Sequence, residues 1–324
     1  MKILVTGGAG FIGSHLVEAL LAKGHRVTVL DDLSTGHAEN LRPFGRKVAL
    51  VRGDCADESA ARKACRGVSA VFHLAAMPSV PRSVKDPLLS HRTNATATLT
   101  MLVAARDAGA RRFVYAGSSS VYGDLPTLPK REDMPTRPLS PYGLGKLAGE
   151  HYVRLFSTLY GMETLTLRYF NVFGPRQDPG SPYSGVISLF VTALIEGRRP
   201  VIYGDGRQTR DFTYVANVVA ANLRALTAKG LRGQTVNVAT GKRISLLDLH
   251  RELSRELGVR LAPERRPARA GDIKHSQASV SAARRLLGYG VSVPFEEGIR
   301  RTVEWYRDQA GRDERSARRG PRGR

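Results

Sequence analysis

Lys2-Ile3-Leu4-Val5-Thr6-Gly7-Gly8-Ala9-Gly10-Phe11-Ile12-Gly13 opens the chain, and this stretch decides the fold. A short aliphatic strand enters a loop whose glycines at 7, 10 and 13 permit a tight turn and a close approach of a diphosphate to the backbone. The amphipathic stretch from Phe11 to Lys23 then begins a helix at that point. The spacing is GxxGxxG. A second strand, Val27 to Leu30, ends on Asp31 and Asp32, carboxylates placed to accept hydrogen bonds from adenosine ribose hydroxyls and to repel a 2′-phosphate. Strand, glycine loop, helix, strand and acid in this order read as a Rossmann-type NAD site that includes Phe11 and Ile12, and they favour NAD over NADP. Asp54, after the third strand, either holds the adenine amino group or is an ordinary turn aspartate.

Working outward, short β-branched runs alternate with helical patterns: Lys2 to Val5, Val27 to Leu30, Val48 to Val51, Ala70 to His73, Arg112 to Ala116, Thr164 to Tyr169 and Thr235 to Val238. This is the rhythm of a parallel sheet, with Phe11 to Lys23, Ala95 to Ala108 and Tyr142 to Tyr160 as crossover helices. The expected fold is α/β, a Rossmann-type doubly wound parallel sheet with a smaller C-terminal substrate-binding lobe. Residues 1–170 form the NAD-binding domain, parts of 201–240 return to it, and 171–310 are mainly the substrate lobe. The arginine-rich stretch 311–324 lacks apolar periodicity and reads as a disordered basic tail.

The 324 residues carry a net charge of +21, and the last 14 supply only +4 of it. Basic residues elsewhere are scattered in pairs such as Arg111-Arg112 and Arg284-Arg285, without the interleaved aromatics that stack bases, so they read as solvated faces and nucleic acid is not the expected partner. No run approaches the ~18 apolar residues of a membrane span, and no signal peptide precedes the first strand, which points to a cytoplasmic protein without a membrane partner. Cys55 and Cys65 stand alone, with no clustered ligands for a metal.

Ser140-Pro141-Tyr142-Gly143-Leu144-Gly145-Lys146 combines a helix-capping residue, a proline suited to the first turn, and Tyr142 and Lys146 four residues apart on one helix face. A phenol has a pKa near ~10, so a tyrosine base near pH 7 needs about three units, roughly 4 kcal/mol, of phenolate stabilisation. An adjacent ammonium and a nicotinamide cation have the right sign of charge. Upstream, another strand ends in Ser118-Ser119-Ser120-Val121-Tyr122-Gly123.

With these residues in view the chain resembles the extended short-chain dehydrogenase/reductase family, and within it the nucleotide-sugar 4-epimerases, from Gly7 to about Tyr306. The resemblance implies that Tyr142 is the acid/base, that Lys146 binds the nicotinamide ribose and lowers the tyrosine pKa, and that Ser118 assists. It implies that Leu74, Ala75 and Ala76, after His73, line the cofactor site, and that Asn94 is a further match. Asn171 is expected to bind the substrate diphosphate, Arg210 and Arg269 to clamp it, and Asp272 to lie near the ribose; Arg176 is a further candidate. Guanidinium forks suit phosphate oxygens. Ser119 is expected at the substrate. Related 4,6-dehydratases carry Asp-Glu where this chain has Ser119-Ser120, so proton abstraction at carbon 5 of the sugar lacks its expected base. The implied reaction is oxidation at carbon 4, rotation of the 4-keto sugar about its UDP anchor, and reduction on the other face.

The segment Phe170 to Pro179 with Ser181-Pro182-Tyr183 resembles bacterial UDP-N-acetylglucosamine 4-epimerases of surface-polysaccharide pathways. The family residue that limits the sugar pocket aligns with Ser276, small enough for a 2-acetamido group. Ser279 and Ala216-Asn217 depart from the usual pattern. The implied substrate is UDP-GlcNAc/UDP-GalNAc, with UDP-glucose/UDP-galactose or UDP-glucuronate as alternatives. The resemblance also implies a homodimer through the helices 95–108 and 142–160; Gly145, Ala148 and Gly149 either allow close helix approach or merely weaken the helix. A reading from another class, a non-catalytic Rossmann protein binding RNA, conflicts with the persistence of Ser118, Tyr142 and Lys146. A salt-sensitive RNA shift without turnover would favour it.

Overall fold

A computed structural model describes residues 1–178, 185–268 and 273–318. The chain alternates strand and helix through β1 (Lys2–Thr6), α1 (Phe11–Ala22), β2 (Arg26–Asp31), β3 (Val48–Arg52), α2 (Glu58–Cys65), β4 (Ala70–His73), α3 (Val80–Lys85), α4 (Pro87–His91), α5 (Ala97–Asp107), β5 (Arg112–Ser118), α6 (Pro141–Tyr160) and β6 (Glu163–Tyr169). Shorter elements follow: β7 (Val172–Phe173), α7 (Val186–Ile195), β8 (Val201–Tyr203), β9 (Thr209–Arg210), β10 (Thr213–Tyr214), α8 (Val215–Thr227), β11 (Gln234–Val238), β12 (Ile244–Ser245), α9 (Leu246–Leu257), β13 (Glu264–Arg266), α10 (Ser281–Leu287) and α11 (Phe295–Arg318).

The seven strands read from the sequence form one sheet in the order β11-β6-β5-β4-β1-β2-β3, every pair parallel. Its inner strands are covered on both faces, which is why they read as continuous apolar runs; β4 and β5 are buried at every residue. Strand order reverses between β1 and β4, and a crevice at the carboxyl ends of such strands is where this fold binds ligands. β11 returns to the far edge beside β6, whereas β8 stays outside the sheet and pairs with β13. The two sheet faces carry different cores. One, with Leu4, Ala61, Met101 and Phe156, lies under α2, α5 and α6. The other runs without a break from Val5, Leu16 and Leu167 to Phe173, Phe190, Leu249 and Ile299, so the boundary drawn at residue 170 does not divide it.

Two expectations are corrected. α11 continues to Arg318, so the first eight residues of the stretch read as a disordered tail are helical. Arg312, Glu314, Arg315, Ala317 and Arg318 favour a helix by backbone preference without an apolar stripe. Gly145 and Gly149 face inward. A Cβ on Gly145 would lie 3.0 Å from Asn94 Cβ, and one on Gly149 would lie 2.4 Å from the Tyr115 hydroxyl, so these glycines make room within the protomer. No helix among the described residues is long and apolar enough to cross a membrane. Cys55 and Cys65 are buried, and burial pushes the Cys65 thiol up to about 12.

Candidate active site

The glycine loop turns at Gly7, whose φ of +67° is a left-handed conformation glycine adopts freely. A Cβ on Gly13 would sit 2.0 Å from Gly7 O, and one on Gly7 would sit 2.7 Å from Ala75 N, so loop, α1 and the end of β4 close on one another only with glycine at both places. No side chain caps the start of α1, where Gly10 is the N-cap, and the first-turn N–H groups around Phe11, Ile12 and Gly13 remain as donors for a diphosphate. Asp31 is buried at the end of β2. It accepts N–H bonds from Ala9 (2.9 Å) and Leu33 (2.9 Å), one per carboxylate oxygen, tying the turn after β2 to the glycine loop. Asp32 is exposed and accepts from Ser34 N and Oγ. Asp54 accepts from Ala56 N and pairs with Arg92. These residues fit NAD: a diphosphate cradle that a Cβ would fill, with carboxylates at the neighbouring strand end.

Ser118 ends β5, and Ser119 begins the single helical turn Ser119–Tyr122. Ser118 Oγ accepts from Ser120 N (3.2 Å) and Ser120 Oγ (2.9 Å), and its hydroxyl is a group that lowers the pKa of the Tyr142 phenol. A hydroxyl has two lone pairs and one proton; with both acceptor positions taken by Ser120, the proton of Ser118 is left available to Tyr142. Burial raises the Tyr142 pKa and Ser118 lowers it, the former prevailing. Ser140 caps α6 by accepting from Gly143 N (3.1 Å), which sets the helix start that carries Tyr142. Lys146, one turn on, is buried; its Nζ donates to Ala116 O at 2.9 Å and sits 4.9 Å from the Tyr115 ring centre. With no carboxylate partner among the described residues, burial brings its pKa down to about 7. Two of its three donors stay uncommitted to Ala116.

Beneath this pair lies a hydrogen-bonded row whose direction is fixed by its ends. Thr98 Oγ1 donates to Asn94 O (2.6 Å) and so accepts from His73 Nε2 (3.1 Å). His73 Nδ1 then accepts from Thr6 Oγ1 (2.7 Å), which accepts from Ala75 N (3.2 Å). Asn94 Oδ1 also accepts from Met77 N. The row fixes Leu74, Ala75 and Ala76, all half-buried, against the glycine loop. His73 is neutral, brought down to about 3 by burial and then by Lys146. His15 on α1 is brought down to about 4, chiefly by burial. Both bind a proton more readily when unfolded, so stability is lost as pH falls below 6.5, by roughly 2 kcal/mol per histidine at pH 5. Urea unfolding at pH 7 and pH 5 should show this, and His15→Gln should reduce the difference; equal stabilities at the two pH values would contradict it.

The substrate-side residues converge as well. Thr209 N donates to Lys274 O and Ser276 N to Thr209 O, each at 3.0 Å, laying the segment with Ser276 along β9 beside Arg210. Arg210 Nη1 donates to Thr209 O (3.0 Å). Asn171, at φ +30°, places its amide 3.5 Å from Asp211 O. Asp211 is fully buried and accepts from Thr240 N and Oγ1, Gly241 N and Ala278 N, locking these segments together. Arg269 and Asp272, like Ser181-Pro182-Tyr183, lie outside the described residues. Arg176 does not join this group; it pairs with Glu18 on α1 (2.5 Å).

Several supporting residues carried no sequence signal. Ser120 acts by hydrogen bonds to Ser118, and Asp211 by hydrogen bonds from other segments, and neither through a motif of its own. Glu150, one turn beyond Lys146 on α6, pairs with Arg168 on β6 through two bonds (2.5 and 3.0 Å) and accepts from Thr235 Oγ1. The Arg168 guanidinium lies 4.7 Å from the ring centre of Tyr122, whose hydroxyl donates to Asn237 on β11. Such a set of polar contacts between distant segments has no local pattern.

Residues 3–239 match the model of the NAD dependent epimerase/dehydratase family. Over 314 residues the chain is 43% identical to a UDP-glucose 4-epimerase of Mycolicibacterium smegmatis, covering 96% of this chain and 100% of that one. Among solved structures, a UDP-N-acetylglucosamine 4-epimerase from Methanobrevibacter ruminantium in complex with UDP-N-acetylmuramic acid superposes with a TM-score of 0.91 at 39% identity, over 95% of this chain and 98% of that one. A Thermus thermophilus UDP-glucose 4-epimerase in complex with NAD superposes with a TM-score of 0.86 at 38% identity, over 95% and 99%. With its glycine cradle, its Ser118-Tyr142-Lys146 cluster and this extent of similarity, the chain belongs to the NAD dependent epimerase/dehydratase family, within the extended short-chain dehydrogenases/reductases.

Proposed function

We propose that the protein is a UDP-hexose 4-epimerase, with UDP-GlcNAc and UDP-GalNAc as its pair and UDP-glucose/UDP-galactose or UDP-glucuronate as alternatives. The observation that carries this reading is that Tyr142 stands one turn before buried Lys146 on α6, with Ser118 as the group that lowers its pKa and with Ser119 and Ser120 where a dehydratase would need acids. Tyr142 takes the proton of the sugar 4-hydroxyl and later returns one, while Ser118 and Lys146 hold it in place. Bound NAD supplies the hydride acceptor and a positive ring that offsets the burial of the phenolate. NAD is kept throughout turnover, because each cycle restores it. Asn171, Arg210 and Arg269 hold the diphosphate, with Asp272 at the ribose. The test is incubation of the purified protein with each UDP-sugar, followed by chromatographic separation of epimers. UDP-GlcNAc is expected to give UDP-GalNAc fastest. A faster UDP-glucose reaction would transfer the assignment to that alternative, and no epimer from any sugar would overturn the reading.

Ser276 is assigned as the residue that admits the 2-acetamido group; its position beside Arg210 supports this. Ser276→Tyr is expected to lower kcat/KM for UDP-GlcNAc at least tenfold more than for UDP-glucose, since added bulk meets only the larger substrate. Equal losses would remove the assignment. A homodimer formed through α5 and α6 belongs to the same reading, supported by Leu144, Leu155 and Leu159, exposed by 59%, 46% and 65% on one face of α6.

A further inference from the structure

We propose that Gly174-Pro175-Arg176-Gln177-Asp178 is a strap that retains NAD by tying the substrate side of the molecule to the two elements that hold the cofactor. The inference rests on the reading that NAD stays bound through turnover, and adds the residues responsible. Arg176 has φ +65°, a left-handed backbone that costs energy for any residue with a Cβ, so contacts beyond its own backbone must hold it there. Its Nη2 donates to Glu18 Oε2 at 2.5 Å, and its Nη1 lies 3.5 Å from Ser14 Oγ, both on α1. Just before it, Pro175 O accepts from His15 Nε2 at 2.9 Å; a carbonyl can only accept, so this nitrogen carries the proton. Two residues later, Asp178 Oδ2 stands 3.4 Å from His37 Nε2. From the other side the strap is anchored by the Tyr306 hydroxyl of α11, which donates to Gln177 O.

The cofactor side of these contacts is equally connected. Ser14, His15 and Glu18 occupy the first two turns of the helix whose start faces the diphosphate. His37 N donates to Ala9 O (3.0 Å), and Ala9 N donates to Asp31 (2.9 Å), so the tie at Asp178 reaches both the glycine loop and the acid through two hydrogen bonds. The strap thus bridges α1 and the turn after β2, the two walls of the dinucleotide site, and resists their separation. None of its side-chain partners belongs to the Ser118-Tyr142-Lys146 cluster, so its effect falls on how long NAD stays.

The test follows NAD loss from the purified holoprotein, with charcoal as the trap and the remaining NAD measured after denaturation. Glu18→Arg sets two cations against each other and is expected to speed the loss roughly tenfold, equivalent to ~1.4 kcal/mol. Combining Glu18→Arg with Arg176→Glu restores an ion pair of opposite polarity and should bring the rate back to within about twofold of wild type, a recovery that general loosening of α1 would not give. Asp178→Asn, at a surface position, is expected to speed loss by a smaller factor. A wild type that keeps NAD alongside Glu18→Arg and Asp178→Asn proteins that keep it equally long would overturn the strap alone, as would a double swap no slower than Glu18→Arg. A wild type that sheds its NAD as soon as it is trapped would overturn retention, and the strap's role with it.

Discussion

A Tyr142→Phe enzyme is expected to turn over its UDP-hexose about a thousandfold more slowly than wild type, in line with loss of a positioned acid/base. The change removes one oxygen and leaves the ring, so α6 keeps its cap on Ser140 and Lys146 keeps its bond to Ala116 O. Bound NAD and the KM for the sugar nucleotide should therefore change little, and the loss should appear in kcat. Ser118→Ala leaves the phenol in place but withdraws the proton available to it. A hydrogen bond to a charged group is worth roughly 1.5–3 kcal/mol, so that variant should lose about ten- to a hundredfold. Steady-state kinetics on NAD-loaded proteins separate the two. A Tyr142→Phe enzyme within tenfold of wild type would remove Tyr142 from the chemistry.

Glu150→Leu is expected to cost about 3–5 kcal/mol of stability, a large share of what holds a typical domain together. The reason is what it leaves behind. Arg168 is 4% exposed in its side chain, and its Nη1 already has no hydrogen-bond partner among the described residues, only the face of Tyr122. Without Glu150 a whole guanidinium would remain buried and unpaired. Replacing both partners, Glu150→Leu with Arg168→Met, removes the charge along with its partner and should recover most of the loss, as apolar groups of similar size often match a buried ion pair. Denaturant unfolding of the two single variants and the double variant measures the coupling. If Glu150→Leu alone unfolds within about 1 kcal/mol of wild type, the pair is not a support of the catalytic helix.

What could be read from the sequence, and what could not, follows from how far each signal reaches. The inner strands of the main sheet were legible because parallel strands covered on both faces must be apolar at consecutive positions. β3 was legible for its β-branched residues even though it is an edge strand with several exposed positions. The glycine loop was legible because the left-handed turn at Gly7 and the close approach of Gly13 to Gly7 O are local geometry. Gly145 and Gly149 look the same in sequence, yet the groups they admit, Asn94 and Tyr115, come from other parts of the chain. The role of Ser120 is hidden because it acts through Ser118. The helix through 311–318 is hidden in the sequence because helix preference without an apolar stripe resembles the composition of a disordered tail.

The edge strand β11 has a consequence for synthesis. Six strands of the sheet are complete when residue 169 has been made, but the seventh arrives only after residues 170–233 have followed. Until then β6 presents an unpaired edge with Leu165 and Leu167, both fully buried in the finished protein, to whatever is near. A nascent chain, or a fragment cut before Gln234, is therefore sticky along that edge. Covering that edge falls to β11, the last strand of the sheet to be made.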